Sequence, residues 1–162
     1  MGWHYHSPDT VLPDPNANRA SAAIERESNG DPTSFPGTSH DFSQKAQVLV
    51  FDTNGPSINA TPEFANGHIV IDLPGVYALT VHIGMFGGNN TLYSFSLFKN
   101  NGATQLTPRT TRKIAQAGDV GAASVGGLAQ LEIGDTVELW FQNETNTTDL
   151  TVHDVSLYIH RI

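Results

Sequence analysis

Apolar and polar residues alternate along most of the chain after residue 45. Gln47 to Phe51 is a short run rich in strand-forming residues, and His68 to Leu73 sets Ile69, Ile71 and Leu73 on one face before Pro74-Gly75 turns the chain. The clearest strand runs from Tyr77 to Met85. There Tyr77, Leu79, Val81, Ile83 and Met85 face one way, and Ala78, Thr80, His82 and Gly84 the other. Gly87-Gly88-Asn89-Asn90 then turns into Leu92 to Lys99, and Asn100-Asn101-Gly102 turns toward a less regular pair around Arg109 to Ile114. Ser124 to Leu131 leads to a tight corner at Ile133-Gly134-Asp135. Beyond it Val137, Leu139 and Phe141 point inward, with Glu138, Trp140 and Gln142 outward. The chain closes on Val155, Leu157 and Ile159, alternating with Ser156, Tyr158 and His160. Short strands at this spacing predict an all-β fold, a two-sheet antiparallel jelly-roll sandwich spanning 45–162.

The first 44 residues read differently. Pro8, Pro13, Pro15, Pro32 and Pro36 interrupt any regular ladder, and Asn, Asp, Ser, Thr and Gly fill the space between. This predicts an extended Pro-rich N-terminal arm over 1–44. Within it Ala17, Ala20, Ala23, Ile24 and Glu27 predict a short helix over 17–28, stopped by Asn29-Gly30. The arm also carries Trp3, Tyr5, Leu12, Phe35 and Phe42, more apolar surface than a solvated linker needs, which marks these five as protein-binding anchors. Trp140 and Tyr158, large aromatics on the polar phase of their strands, mark an oligomer seam or a face covered by the arm.

Composition narrows the chemistry. The 162 residues hold 16 acidic and 8 basic side chains, a formal net charge of -8, so a phosphate backbone repels the chain and nucleic acid is not an expected partner. There is no cysteine, hence no disulfide, thiolate nucleophile or Cys-bearing zinc site. No apolar run reaches the roughly 18 residues of a membrane helix, and no basic-then-apolar leader opens the chain. A soluble, unprocessed protein without a membrane partner is the expectation.

His4-x-His6 is the tightest histidine pair, yet no third ligand beyond Asp9 or His40 presents itself, so no metal is expected. Ser124 lies in Ala-Ser-Val-Gly-Gly, which lacks the Gly-x-Ser-x-Gly of a nucleophile elbow. No carboxylate pair stands out for glycosidase work, and the Gly-rich stretches lack the Lys-Ser/Thr of a phosphate loop. Neither an enzyme nor a cofactor is expected. Asn59, Asn89, Asn143 and Asn146 begin glycosylation-like tripeptides that read as ordinary loop residues.

Three turn motifs in order carry a resemblance. Leu73-Pro-Gly-Val-Tyr77 leads straight into the long alternating strand, Phe98-Lys-Asn-Asn-Gly102 forms a hairpin, and Ser124 to Asp135 runs small residues into a Leu-x-x-Gly-Asp corner. In that order they resemble the complement-component and tumour-necrosis-factor jelly-roll superfamily, over about residues 45 to 162. The resemblance implies a homotrimer, or a dimer, that recognises protein or glycan surfaces. With a Pro-rich arm and no collagen stalk, the form it resembles is the phage capsid decoration or cement protein. That implies a non-enzymatic virion structural protein on the outer surface of the capsid, with the major capsid protein as partner. The alternative it leaves is a receptor- or glycan-binding head of a fibre or adhesin.

Overall fold

The computed structural model describes residues 14, 16–26, 33–35 and 44–162, with 33–35 described by backbone alone. Thirteen strands and no α-helix occur among these residues: β1 (Ser21–Arg26), β2 (Thr33–Phe35), β3 (Ala46–Gln47), β4 (Thr53–Asn54), β5 (Ala60–Glu63), β6 (His68–Ile71), β7 (Gly75–Phe86), β8 (Thr91–Lys99), β9 (Thr104–Gln105), β10 (Thr110–Ile114), β11 (Gly121–Leu131), β12 (Thr136–Asn143) and β13 (Leu150–Arg161). They form two antiparallel sheets. One runs β11-β7-β13-β1-β4 with β2 also on β13, and the other runs β10-β8-β12-β6-β5 with β3 on β12 and β9 on β8. The expected jelly-roll sandwich is thus the observed fold.

The core lies between the sheets and comes from the alternation in the sequence. Tyr77, Leu79, Val81, Ile83 and Met85 of β7 project from one sheet; Tyr93, Phe95 and Leu97 of β8 and Val137, Leu139 and Phe141 of β12 meet them from the other, each at most 2% exposed. Side chains of this size contribute roughly 1.5–3 kcal/mol each when fully buried. The two buried tyrosines keep their hydroxyls bonded: Tyr77 donates to the carbonyl of Leu73, and Tyr93 donates to those of Thr148 and Asp149. Burial pushes both phenols above the ordinary tyrosine range.

The N-terminal expectation needs correction. Where the predicted helix over 17–28 falls on described residues the chain instead forms β1, preceded by a turn at 16–18, and β1 pairs with β13 along its whole length and with β4 on its other side. Alanine favours helix locally, but Ala20, Ala22 and Ile24 also alternate, and all three are buried in the shared core. Two strand partners and a core face outweigh a propensity of tenths of a kcal/mol per residue. The boundary at residue 44 moves accordingly, because β1 and β2 are strands of the sandwich. Arg161 fixes this junction: its Nε donates to the carbonyl of Pro74 at 2.9 Å and its guanidinium to that of Asn18 at 2.7 Å.

Candidate functional site

Two surfaces stand out, one on the outward face of each sheet. On the β11-β7-β13-β1 sheet the pairing register lays out parallel rows: Ser124, His82, Ser156, Glu25; then Gly126, Thr80, Tyr158, Ala23; then Leu128, Ala78, His160, Ser21. The fixed acidic charges gather at one end, Glu25 in the first row and Asp154 one step beyond it over Gly84, and the other two rows carry none, although the protein as a whole is strongly acidic. Leu128 is 62% exposed, Tyr158 41% and, one step beyond, Val76 38%. Small residues between them keep the face flat. A neutral, partly apolar sheet face with this much exposed side chain is unusual for an isolated sandwich.

His82 Nδ1 lies 2.8 Å from Ser124 Oγ on this face. The contact is not a hydrolytic triad. Asp154 turns its Oδ2 to His153 Nδ1 at 3.1 Å instead, and Ser124 sits in the middle of the extended strand β11 rather than on a turn that would converge amides on an oxyanion.

On the opposite sheet Glu138 is outward-facing, as its place in the strand predicts, yet it is 2% exposed. Its carboxylate accepts from the backbone N–H of Asn101 (2.8 Å) and Gly102 (2.9 Å), from Thr136 Oγ1 (2.5 Å) and from Trp140 Nε1 (2.9 Å). The two backbone donors are aimed by a left-handed turn, with Asn100, Asn101 and Gly102 at φ 56, 58 and 73°. Asparagine tolerates that region and glycine is at home there. At Gly102 a Cβ would also meet the Trp140 ring at 2.8 Å and Lys45 Cε at 2.9 Å. The hairpin Asn-Asn-Gly is therefore built around one carboxylate. Beside it Asp135 accepts from the amide of Glu132, the Lys99 ammonium (2.7 Å) and the Asn100 side chain. Burial works against its ionisation, but those donors outweigh it and hold its carboxyl below the usual range.

Trp140 and Tyr158 lie on outward faces of different sheets, so they do not share one seam. Trp140 packs edge-on against Phe98 at 6.2 Å between centroids, with Lys45 Nζ 5.1 Å above its ring and 4.7 Å above that of Phe98. It is half-buried in this cluster. Tyr158 belongs to the flat neutral face. Of the five arm anchors, Trp3, Tyr5, Leu12 and Phe42 lie outside the described residues. Phe35 ends β2, its backbone paired with Leu150 of β13. His4, His6, Asp9 and His40 also lie outside. Among the described residues no three His, Asp or Glu side chains gather as a metal site, and no helix is long and apolar enough to cross a membrane.

The loop at 143–149 organises itself. Asn143, fully buried, accepts from the amides of Thr145 and Asn146 and donates to Asn146 Oδ1 and the carbonyl of Thr148. Its side chain is spent on structure.

A further set escaped the sequence. Gln47, Asn66, His68, Asn100, Asn101, Thr136 and Glu138 line an open groove of about 390 Å³ on the outward side of the second sheet. Strands β3, β6 and β12 and two turns, far apart in sequence, bring them together, so no local spacing signals the group.

No family model matches the chain, and no curated protein matches it in sequence. Solved structures do. The Eiger tumour necrosis factor of S. frugiperda aligns over 90% of this chain and 93% of its own, with a TM-score of 0.64 at 16% identity. Murine APRIL aligns over 89% and 99%, with 0.57 at 12%, and the globular domain of zebrafish complement 1qA over 88% and 96%, with 0.55 at 12%. The chain accordingly has the jelly-roll fold of the tumour-necrosis-factor-like and complement-1q-like domains.

Proposed function

We propose that this protein is a non-enzymatic, self-associating jelly-roll head, and that it serves as a capsid decoration or cement protein whose N-terminal arm grips the major capsid protein. The flat neutral face of the β11-β7-β13-β1 sheet carries the reading. Leu128, Tyr158 and Val76 are the exposed apolar side chains on it, and burying such a face against other copies of this chain removes the apolar area from water at little electrostatic cost. A homotrimer is the expected assembly. The arm residues Trp3, Tyr5, Leu12 and Phe42, with the strand-end Phe35, would then anchor each copy on a neighbouring shell subunit, and several weak grips would add up to firm retention on the outer surface of the virion.

Light scattering on the purified chain tests the first part. The expected mass is three times the 17.4 kDa of one chain. Leu128→Glu and Thr80→Arg, both on exposed positions of the face, should weaken association at least about tenfold and leave thermal unfolding of the head unchanged. A wild-type monomer at high concentration would sink the self-association reading. Co-sedimentation with assembled shells of a major capsid protein tests the second part. Deleting residues 1–13 and replacing Phe42 with Ala should abolish attachment while the head still associates; undiminished attachment refutes the arm's role.

A further inference from the structure

The groove on the outward side of the β10-β8-β12-β6-β5 sheet lies on the opposite side of the sandwich from the self-association face, so a ligand held in it makes no demand on that face. Asn100, Thr136 and Glu138 of the groove are bonded within the protein through both side-chain polar atoms or, for Thr136, through its hydroxyl; Gln47, Asn66 and His68 are each fixed by one polar atom and present another. Gln47 donates through Nε2 to the carbonyls of Asn66 (3.0 Å) and Gly67 (3.2 Å). Both partners are carbonyl oxygens, so the nitrogen is identified and Oε1 is the atom left over. Asn66 donates through Nδ2 to Glu63 Oε2 at 2.7 Å, which leaves Oδ1. His68 Nε2 meets the same carboxylate oxygen at 2.9 Å, which leaves Nδ1. Asn101 is held by its backbone, pinned to Glu138 in the left-handed turn, and both polar atoms of its side chain are left over. Among the described residues none of these atoms has a protein partner.

The charges nearby are already spent. Glu138 accepts four hydrogen bonds, and Glu63 is engaged by Asn66 and His68. Asp135 is neutralised by Lys99. The groove thus offers two fixed amide oxygens, the imidazole Nδ1 of His68 and one amide that both donates and accepts. Water alone does not require such pre-organisation, which is the hallmark of a built recognition site. A ligand that complements it carries several hydroxyls at fixed spacing and no net charge. A volume of about 390 Å³ sits at the lower end of small-molecule clefts, which run from roughly 300 to 1,000 Å³.

From this geometry we infer a neutral saccharide-binding site formed by Gln47, Asn66, His68 and Asn101. One pyranose unit hydrogen-bonds through its ring hydroxyls to Gln47 Oε1, Asn66 Oδ1 and His68 Nδ1, and takes a hydrogen bond from the Asn101 amide.

Amide-proton NMR titration of the full chain tests it, with the methyl glycosides of glucose, galactose, mannose and N-acetylglucosamine as probes and glycerol as the control. The expected result is a saturable shift for at least one glycoside, with a dissociation constant on the order of 1 mM. It should centre on the amides of Gln47, Asn66, His68 and Asn101, and glycerol should not reproduce it. Asn101→Gly keeps the left-handed turn and removes only the side chain, so it should weaken that binding about tenfold with an unchanged melting temperature. Asn66→Ala, at an exposed position, should do the same. The inference is overturned if no glycoside shifts these amides, if glycerol shifts them equally, or if both variants bind as the wild type does.

Discussion

Glu138→Ala is the sharpest perturbation of the outer face. It removes the one acceptor shared by the Asn101 and Gly102 amides, the Thr136 hydroxyl and the Trp140 indole N–H. The hydroxyl can rotate to another partner, and water entering the groove can reach the Asn101 amide. Gly102 N and Trp140 Nε1 lie deeper and stay unsatisfied, and each lost bond to a charged acceptor is worth about 1.5–3 kcal/mol. The expected cost is therefore about 3–6 kcal/mol, a large share of the roughly 5–15 kcal/mol typical of a domain. For a chain of this length it should lower the melting temperature by roughly 6–24 °C. Glu138→Gln separates charge from shape. Its amide nitrogen can replace Oε1 and donate to Thr136 Oγ1, so that only the Asn101 amide loses its acceptor, at about 1–2 kcal/mol. Urea unfolding gives both values, and hydrogen exchange at Asn101 and Gly102 should quicken in the alanine variant ahead of exchange in β7. A loss below about 0.5 kcal/mol for Glu138→Ala would refute the argument that this carboxylate organises the hairpin.

Gly102→Ala forces a Cβ into Trp140 and Lys45 at a φ of 73°, and denaturation should show a loss of about 1–3 kcal/mol. Gln142 is 1% exposed and its Oε1 has no hydrogen-bond partner among the described residues; Gln142→Met should raise stability by about 1 kcal/mol, or 2–4 °C in a thermal melt. Asp135 has a depressed folded-state pKa, so its contribution is complete above the unfolded carboxyl value near 4 and is lost as pH falls through the lower folded value. Asp135→Asn should flatten the stability slope below about pH 4 in acid titrations followed by circular dichroism; an unaltered slope would contradict the role assigned to Lys99 and the Glu132 amide.

The elements legible in the sequence are those whose side-chain alternation coincides with burial. In β7, β12 and β13 the inward residues are large and apolar, so period-two patterning and packing say the same thing. The corner at Gly134-Asp135 is legible for a different reason: Asp135 accepts from the Glu132 amide three residues back, a local bond that local sequence can announce. β1 is hidden because its determinants are remote. Its strand character comes from β13, more than a hundred residues away, and Ser-Ala-Ala-Ile-Glu-Arg by itself favours a helix. The groove is invisible for the same reason, since Gln47, Asn66 and Asn101 meet only because β3 and β6 both pair with β12 and the turn after β8 lies against it. Glu138 reads as outward, which is right, and as solvated, which is not; alternation reports the face of a sheet and says nothing of what a turn lays over it.

The placement of the two surfaces ties the proposed assembly to the proposed ligand. The neutral face belongs to β11, β7, β13 and β1, and the groove to β3, β6 and β12 of the other sheet, so the whole thickness of the core separates them. Copies that bury the first face against one another would turn every groove outward. A single site of this kind, with about four neutral hydrogen bonds and little apolar contact, would hold a sugar at millimolar strength. Several such sites fixed on one rigid assembly would gain up to about 10²–10⁴ in avidity for a repeating saccharide whose spacing matched theirs. Wild-type protein should then bind a polymeric glycan far more tightly than the methyl glycoside of the same sugar, and Leu128→Glu should erase that difference without moving the monovalent affinity. Loss of monovalent binding in Leu128→Glu would instead mean that the two faces are coupled through the core, which their separation argues against.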